Sequence, residues 1–304
     1  MRIFLCVGDW TNQPKSLDAV KAKNRLYAFS NLWDIPFTKS NMLEILKALL
    51  RVKGNGEKLM IDSGVAVLNN RYFQSDIVQR RGRIPFSQTD LETLVDKYVL
   101  LLRAAVKIGA VDIAMEMDAD HFVGYSRVKE YRKRLIDTGA KVIPVWRPTL
   151  GRDAFYELTE LYDWVALSEG IAGISVNTRR TLKFFCKIVA EGVQRKGQKF
   201  HFFAGLRRTL LFGSPLYSAD STTWSAFSRW ALTTRFDPKS MWIDWGIAAY
   251  GVESYDSREQ IGVEDIPFNP KSQLYVDAIA ARSYSRLERY VTEFWRQKGV
   301  VFND

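Results

Sequence analysis

Short apolar segments recur along the chain, and each is followed by a polar or glycine-containing turn. Strands that are buried on both faces of a parallel sheet have this character, because they carry continuous rather than alternating apolar side chains. Eight segments fit the pattern: Ile3–Val7, Lys58–Ile61, Val111–Met117, Val142–Trp146, Trp164–Leu167, Phe200–Ala204, Leu216–Ala219 and Met241–Ile243. The pattern therefore predicts eight strands.

Amphipathic segments that end in glycine separate these strands. Gly54, Gly109, Gly139 and Gly197 each lie a few residues before the next predicted strand, and glycine is the residue that most often ends a helix. Repeated alternation of strand and helix with short connections favours an α/β fold of the closed (β/α)8 TIM barrel type. The same alternation is also compatible with an open, doubly wound sheet.

The C-terminal region has a different character. Residues 250–270 are acidic and loop-like, whereas apolar residues recur at helical spacing from Ser272 to Lys298 and stop at Gly299. This spacing predicts one long helix that closes the barrel. The chain has no internal repeat, low-complexity tract or linker, so we expect residues 1–304 to form a single barrel domain.

The charge of the chain points to a class of partner. Its 44 Lys and Arg residues exceed its 34 Asp and Glu residues, which gives a formal net charge of +10. Such a balance favours binding to a polyanion, either nucleic acid or a membrane surface. The longest apolar run, at 99–106, is interrupted by Arg103 and is too short to span a bilayer. We expect a soluble, cytoplasmic protein that does not bind membranes.

Cysteine and histidine are scarce. Cys6 and Cys186 are far apart in sequence, so neither a disulfide framework nor a Cys-x-x-Cys motif can be formed. Together with His121 and His201 they show none of the close ligand spacing of a Cys/His zinc site. We expect no zinc and no other cofactor, although the composition still allows carboxylate-bound magnesium. Both cysteines are interpreted as buried thiols, and His201 as a core residue within a strand.

The ends of the predicted strands are polar, and in a barrel the active site forms from the residues that follow the strands. These positions hold Asp9, Asp62, Asp118, Asp120, Arg147, Ser168, Glu169, Gly205, Arg207, Arg208, Asp220 and Asp244. Carboxylates that share one opening raise each other's pKa, which costs stability but suits acid–base catalysis. Asp62 and Asp220 are each followed by serine, so they could instead cap the N-termini of the next helices.

Four fragments, in order along the chain, resemble one enzyme family. The segment LMIDSG at 59–64 resembles an Asp-Ser-Gly-Gly segment, and VDIAMEMD at 111–118 resembles a strand that ends in a base-binding Asp. The segments FHFFAG at 200–205 and YSADSTTW at 217–224 resemble the last third of the same family. That family is the tRNA-guanine transglycosylase superfamily, and the similarity is greatest to its smaller phage-type members, which modify DNA with 7-deazaguanines.

The resemblance implies a base-exchange glycosyltransferase that replaces guanine in DNA. By position it implies that Asp220 is the nucleophile, Asp62 the general acid/base and Asp118 the group that binds the guanine edge. Attack by a carboxylate on the sugar gives a covalent intermediate, as in retaining glycosidases. A free 7-deazaguanine base is then the co-substrate. Further base contacts are expected from Arg147, Ser168, Glu169 and Gly205.

Access to a base inside a duplex requires that the nucleotide be flipped out of the stack, and phosphate contacts must offset the cost. We expect these contacts from Arg80, Arg81, Arg83, Arg207 and Arg208. The basic run at 127–134 is interpreted instead as the solvated face of a helix.

The chain also departs from the family pattern. Val65 occupies the position of the second glycine, and the family's C-terminal zinc cysteines and the basic motif after the nucleophile are missing. These absences favour DNA over tRNA as substrate. Three alternatives stay open: a tRNA-guanine transglycosylase, a catalytically silent subunit of this fold that binds nucleic acid, and a glycoside hydrolase with the same carboxylate pair.

Overall fold

The computed structural model describes residues 1–8, 12–56, 58–65, 88–168, 179–221, 224, 232–237, 239–240, 242–247 and 272–302. The strands are β1 Arg2–Val7, β2 Asn24–Ala28, β3 Lys58–Asp62, β4 Ile113–Met115, β5 Lys141–Ile143, β6 Val145–Trp146, β7 Trp164–Leu167, β8 Lys199–Phe202, β9 Ser218–Ser221, β10 Leu232–Asp237 and β11 Trp242–Ile247. The helices are α1 Asn12–Ala19, α2 Lys39–Lys53, α3 Gln88–Lys107, α4 Asp120–Val123, α5 Tyr125–Ile136, α6 Gly151–Leu161, α7 Arg179–Lys196, α8 Arg208–Gly213 and α9 Gln273–Gln297, with 3-10 segments at Phe29–Leu32 and Pro148–Leu150.

Nine of these strands form one parallel sheet in the order β5-β4-β3-β2-β1-β9-β8-β7-β6. The two outer strands, β5 and β6, are consecutive pieces of residues 141–146, separated by Pro144. Proline has no N–H to donate to a ladder, but the Pro144 carbonyl accepts a hydrogen bond from the Ala166 N–H at 2.8 Å. Since one segment links both edges, the sheet closes into an eight-stranded (β/α)8 TIM barrel. The predicted fold class is confirmed.

Two details of the strand prediction were wrong. Strand β2 was missed because Arg25 interrupts its apolar pattern. The Arg25 side chain is fully buried, pairs with Asp18 at 2.5 Å and donates to the Val52 carbonyl at 2.9 Å. The predicted eighth strand, 241–243, overlaps the start of β11 at residues 242–243. Met241 lies outside the described residues. Strand β11 pairs antiparallel with β10, outside the barrel. Strand β2, between β1 and β3, completes the eight strands of the barrel instead. The error arose because an apolar run does not show which strand it pairs with.

The helix ends agree with the sequence pattern. Gly54, Gly109, Gly139 and Gly197 all adopt positive φ, between 47° and 86°, a conformation that side chains disfavour. The predicted closing helix is α9, which packs on β1 and on the antiparallel pair β10–β11, called the hairpin below. There the Ser283 hydroxyl donates to the Thr234 carbonyl at 2.9 Å. Within the described ranges, no helix is both long and apolar enough to cross a bilayer.

Side chains on alternate strand positions point into the barrel. The inner cluster contains Phe4, Leu26, Met60, Ile113, Met115, Ile143, Val145, Trp164, Ala166 and Tyr217. Side chains at i and i+2 share a face of a strand. The residues two positions after Met60, Val145 and Ala166 therefore point toward the C-terminal opening, and they are Asp62, Arg147 and Ser168. This alternation places polar groups above an apolar barrel interior.

Candidate active site at the C-terminal end of the barrel

Three carboxylates occupy the C-terminal opening of the barrel. Asp62 is the last residue of β3, Asp118 follows β4, and Asp220 lies in β9. The negative charges of Asp118 and Asp220 both raise the pKa of Asp62, which means that the three groups are close enough to interact. The structure thus brings together the three acids that were singled out from the sequence.

Asp62 has a strongly perturbed carboxyl group. Burial, followed by the charges of Asp118 and Asp220, raises its pKa from 3.8 to about 7, against the opposing effect of hydrogen bonds from the Ser63 and Gly64 N–H groups. A carboxyl group with this pKa is partly protonated and partly ionised at neutral pH. It can therefore donate a proton in one step and accept one in the next.

Gly64 shapes the turn that supplies these N–H donors. Its φ is +79°, and a Cβ atom at this position would lie 2.6 Å from the Cβ of Ser30. No other residue fits without displacement of the backbone. Val65, which replaces the second glycine of the family pattern, is buried at 1% exposure in the core between strands and helices.

Asp220 is held by groups from neighbouring strands. The Ala204 N–H donates to its Oδ1 at 2.9 Å, and His201 Nε2 lies 3.3 Å from the same oxygen. The Cys6 thiol donates to Oδ2 at 3.7 Å. His201 is fully buried, and its Nδ1 lies 2.9 Å from the Ser218 hydroxyl. These contacts hold the Asp220 carboxyl group in one orientation.

Sequence reasoning missed this set of residues around Asp220. His201 was interpreted only as a core residue, and Cys6 as an inert thiol. Burial, followed by the charges of Asp220 and Asp62, raises the pKa of Cys6 well above its usual value, so the thiol is neutral. Alternation along β8 and β1 could have placed both side chains inside the barrel, but their proximity to Asp220 depends on how the strands pair.

Ala204 carries backbone strain at this site. Its φ is +48°, a left-handed conformation that costs a residue with a Cβ about 1–2 kcal/mol. Its N–H is the group that donates to Asp220. Strained residues persist where the surrounding structure requires them, and they cluster at functional sites.

Asp118 is paired with a buried arginine. Arg147 is 1% exposed, and its Nη2 donates to Asp118 Oδ2 and to the Asp118 carbonyl, both at 2.5 Å. Its Nε lies 3.2 Å from Asp120 Oδ1. Burial raises the pKa of Asp118, and the Arg147 charge opposes that rise. The guanidinium of Arg147 is therefore used to hold Asp118 and Asp120.

His121 lies on the other side of the same guanidinium. Its Nδ1 is 3.5 Å from Arg147 Nη1. Burial and the Arg147 charge lower its pKa to about 4, so the imidazole is neutral at physiological pH.

The remaining base contacts expected from the sequence have different environments. Ser168 follows β7 and is half-buried, and its N–H donates to the Trp146 carbonyl at 2.9 Å. Gly205 is buried, and a Cβ there would lie 2.8 Å from the Cβ of Phe202, so close packing requires glycine. Glu169 lies outside the described residues.

The expected phosphate-binding residues are only partly described. Arg207 is half-buried just before α8, and Arg208 is the exposed first residue of that helix. Arg80, Arg81 and Arg83 lie outside the described residues, as do Asp9 and the side chain of Asp244.

The basic run at 127–134 lies on α5, where its cations pair with carboxylates of neighbouring helices. Lys129 contacts Glu157 at 2.6 Å, and Arg127 contacts Glu92 at 2.7 Å. These pairs fit the interpretation of a solvated helix face, but Arg132 of the same run departs from it, because it is buried and paired with Glu116.

A metal site is not evident in the described part of the chain. No three His, Cys, Asp or Glu side chains there are arranged to hold an ion. The three acids of the opening are thus near enough to perturb one another's protonation but do not form an ion cage. The expectation of a zinc-free protein stays a prediction.

Comparison with known proteins does not identify a family for this chain. No model of a protein family matches the chain, and no curated protein matches it. A mutant tryptophan synthase alpha-subunit from Pyrococcus furiosus is similar in structure, with a TM-score of 0.44, 12% identity, and coverage of 75% of this chain and 90% of that one. A GH5_18 variant from Bifidobacterium longum, in complex with Manb1-4GlcNAc, has a TM-score of 0.43 and 8% identity and covers 72% of this chain and 68% of its own. Both TM-scores are below 0.5, so the fold assignment rests on the strand order and pairing described above.

Proposed function

We propose that this protein is a base-exchange glycosyltransferase that replaces guanine in DNA with a free 7-deazaguanine base. The observation that carries the proposal is the group of three carboxylates at one barrel opening, in which Asp62 has a pKa of about 7. Its neighbour Asp220 is held by the Ala204 N–H, and His201 Nε2 lies 3.3 Å from the same oxygen. A carboxyl group that exchanges protons, beside a second carboxyl group that is fixed in position, forms the pair this reaction requires.

Asp220 acts as the nucleophile. Its Oδ1 faces the Ala204 N–H and His201, while Oδ2 has only the weak thiol donor of Cys6 among the described contacts. Oδ2 is therefore the less stabilised oxygen, the one suited to attack the sugar C1′ as the guanine–sugar bond breaks. The products of that step are an aspartyl-glycosyl ester and free guanine.

Asp62 acts as the general acid and then as the general base. In its protonated form it donates a proton to the departing guanine, and it is left as a carboxylate. That carboxylate then removes a proton from the incoming 7-deazaguanine, whose nitrogen attacks C1′ and releases Asp220. Because its pKa lies near neutrality, both protonation states are accessible during one cycle.

Asp118 binds the guanine edge in this proposal. A carboxylate accepts hydrogen bonds from the N1–H and exocyclic amine of guanine, and adenine offers no equivalent pair of donors. The Arg147 guanidinium opposes the rise in the pKa of Asp118 that burial causes, and it orients the carboxyl group. Arg147 is then a positioning residue behind the base-binding acid, rather than the direct base contact expected from the sequence.

DNA is favoured as the polymer by the net charge of +10 and by the missing tRNA-associated motifs. Arg207 and Arg208, which follow β8 at the same end of the barrel, are the phosphate contacts of this proposal. A tRNA substrate remains the alternative and is included in the test.

The test compares wild type with Asp220→Asn. Labelled guanine exchange is measured on duplex DNA and on a guanine-containing RNA hairpin, and covalent adducts are measured by denaturing electrophoresis. We expect wild type to exchange guanine and to form a denaturant-resistant adduct on DNA, and Asp220→Asn to do neither. DNA affinity should be nearly unchanged, since it comes from phosphate contacts and falls with salt.

Asp163→Asn is the matched control, because Asp163 is 69% exposed and lies at the start of β7, away from the opening. This control should exchange at the wild-type rate. Full exchange by Asp220→Asn would refute the covalent route through this residue. DNA binding without exchange by wild type would favour the silent subunit, and hydrolysis of a glycan without DNA binding would favour the glycoside hydrolase.

A further inference from the structure

A second concave site lies at the opposite end of the barrel. It is a cavity of about 850 Å³ between the first residues of β1 and β2 and the residues just before β9 on one side and α9 with residues 300–302 on the other. Arg2 at this end lies four positions before Cys6 along β1, or roughly 13 Å at the usual rise of a strand. Leu5, which also lines the cavity, packs outside the barrel, whereas Cys6 packs against the interior cluster. The cavity is therefore separate from the proposed active site, and its volume is typical of sites for small molecules.

The charged groups around this cavity have a positive excess. Cations come from both walls: Arg2, Lys21 and Lys23 on the barrel side and Arg289 and Arg296 on α9. The acids that line it are Glu288 and Glu293. Glu293 pairs with Arg296 on the same helix.

Glu288 is directed into the protein. Its Oε2 accepts hydrogen bonds from the Ile3 N–H at 2.5 Å and from Asn24 Nδ2 at 3.3 Å, and burial raises its pKa. It therefore presents little negative charge to the cavity. The remaining excess of positive charge favours an anion.

Two of the cations have no acidic partner. Within the described part of the chain, neither the Lys21 ammonium nor the Arg289 guanidinium contacts a carboxylate, and both residues are exposed at the rim. Lys21 lies in the turn after α1 and Arg289 lies on α9, so the two cations come from different elements of the cavity lining.

Lys21 also occupies an unusual backbone position. It follows α1 with a φ of +53°, and the Lys21 and Ala22 N–H groups donate to the carbonyls of Asp18 and Leu17 at 3.0 and 2.9 Å. This is a helix-ending turn in which glycine is the usual residue. The chain instead keeps a lysine in a strained conformation, and it projects a cation at the cavity rim.

Part of the cavity wall is aromatic. Phe302 packs edge-on against Tyr217 with ring centroids 5.3 Å apart, and the Trp295 indole is fixed by a hydrogen bond from its Nε1 to the Leu211 carbonyl at 2.7 Å. Phe302 and Trp295 are only half-buried, so each offers ring surface to the cavity. Flat aromatic surface beside cations suits a ligand with both a ring and a phosphate.

We propose that this cavity binds a phosphorylated small molecule of nucleotide size. Lys21 and Arg289 hold its phosphates, and its aromatic ring lies against Phe302 and Trp295. A small molecule is favoured over a nucleic-acid strand because the two cations line one bounded cavity of about 850 Å³ together with the aromatic side chains of Phe302 and Trp295. The proposal does not depend on the base-exchange reaction at the other end of the barrel.

The test measures binding by calorimetry on the full chain with three probes: ADP, inorganic pyrophosphate and adenosine. We expect one saturable site for ADP, weaker binding of pyrophosphate and no binding of adenosine. Lys21→Gly and Arg289→Gln should each weaken ADP binding about tenfold or more, since each removes a charged hydrogen bond. Lys21→Gly should unfold at the same or a higher urea concentration than wild type, because glycine relieves the positive φ.

Arg103→Gln is the charge-matched control for Arg289→Gln, because Arg103 is exposed on α3 and does not line the cavity. It should bind ADP within twofold of wild type. The proposal is overturned if ADP does not bind, if adenosine binds as well as ADP, or if all three variants weaken binding equally. Binding of a single-stranded oligonucleotide that depends on Lys21 and Arg289, without any binding of ADP, would overturn it in favour of a nucleic-acid surface.

Discussion

Replacement of Asp62 by asparagine tests the electrostatics of the barrel opening without a substrate. The pKa of Asp62 is raised from 3.8 to about 7, chiefly by burial and then by Asp118 and Asp220. The folded protein therefore binds a proton at this group more tightly than the unfolded chain does. Linkage then requires that ionisation of Asp62 destabilise the folded state.

The direction of the pH dependence follows from this shift. Below the unfolded pKa of about 4, Asp62 is protonated in both states and costs nothing. As pH rises from about 4 to 7, Asp62 ionises in the unfolded chain but stays largely protonated in the folded protein. The free energy of unfolding therefore falls over this range. Above pH 7 the cost is constant. Asp62→Asn lacks the ionisable group and avoids this cost.

The size of the effect follows from the shift of about three pKa units. At 1.36 kcal/mol per unit, the upper limit is about 4 kcal/mol. The side chain is partly exposed, and protonation of the neighbouring acids relieves some of the repulsion. We therefore expect Asp62→Asn to gain about 1–3 kcal/mol relative to wild type between pH 4 and pH 8.

Urea denaturation followed by tryptophan fluorescence, at one-unit steps from pH 4 to pH 8, measures this difference. Asp163→Asn, at an exposed acid whose nearest cation is Lys141 at 3.4 Å, should show a difference that varies by less than about 0.5 kcal/mol. Asp62→Asn should also lose base exchange. A stability difference that stays flat with pH, or that falls as pH rises, would refute the assignment of a raised pKa to Asp62.

Three further predictions concern the surroundings of the site. Gly64→Ala should lower the free energy of unfolding by about 2 kcal/mol or more, on the order expected for overpacking at positive φ. Gly109→Ala has open space around the new Cβ atom and should cost only about 1 kcal/mol. Equal losses for the two variants in urea denaturation would contradict this. Glu116→Gln should cost about 3–5 kcal/mol by the same assay, because it leaves the buried Arg132 without its charged partner, and a loss under 1 kcal/mol would show that the pair is dispensable. The His121 imidazole should stay neutral until the pH falls to about 4, and a midpoint of 6 or above in an NMR titration would be inconsistent with its burial beside a guanidinium.

The short-range pattern of apolar residues and glycines was sufficient to predict most of the barrel strands and helix ends. Continuous apolar runs identified seven of the eight barrel positions, and glycines before the strands marked helix ends that do adopt positive φ. Asp62 and Arg147 could be placed at the opening because side chains alternate along a strand and the preceding interior residues are apolar. These features depend on residues a few positions apart, and such short-range periodicity is visible in a single sequence.

The tertiary structure decided what depends on strand pairing. Strand β2 was hidden by Arg25, whose charge is acceptable in the interior only because Asp18 and the Val52 carbonyl meet it there. The segment expected to be the eighth barrel strand lies instead in a hairpin. A buried charge or an apolar run has no definite environment until its distant partners are in place.

The environment of the candidate site was likewise outside the reach of the sequence. Cys6 and His201 contact Asp220 across 214 and 19 positions of the chain, and the raised pKa of Asp62 arises from burial and from two acids, one just after β4 and one in β9. By itself the sequence predicted that Asp62, Asp118 and Asp220 reach the barrel opening, because strand periodicity is local. Closure of the sheet decided which of them interact, and therefore their protonation, because Coulombic and desolvation energies depend on distances that only the folded chain defines.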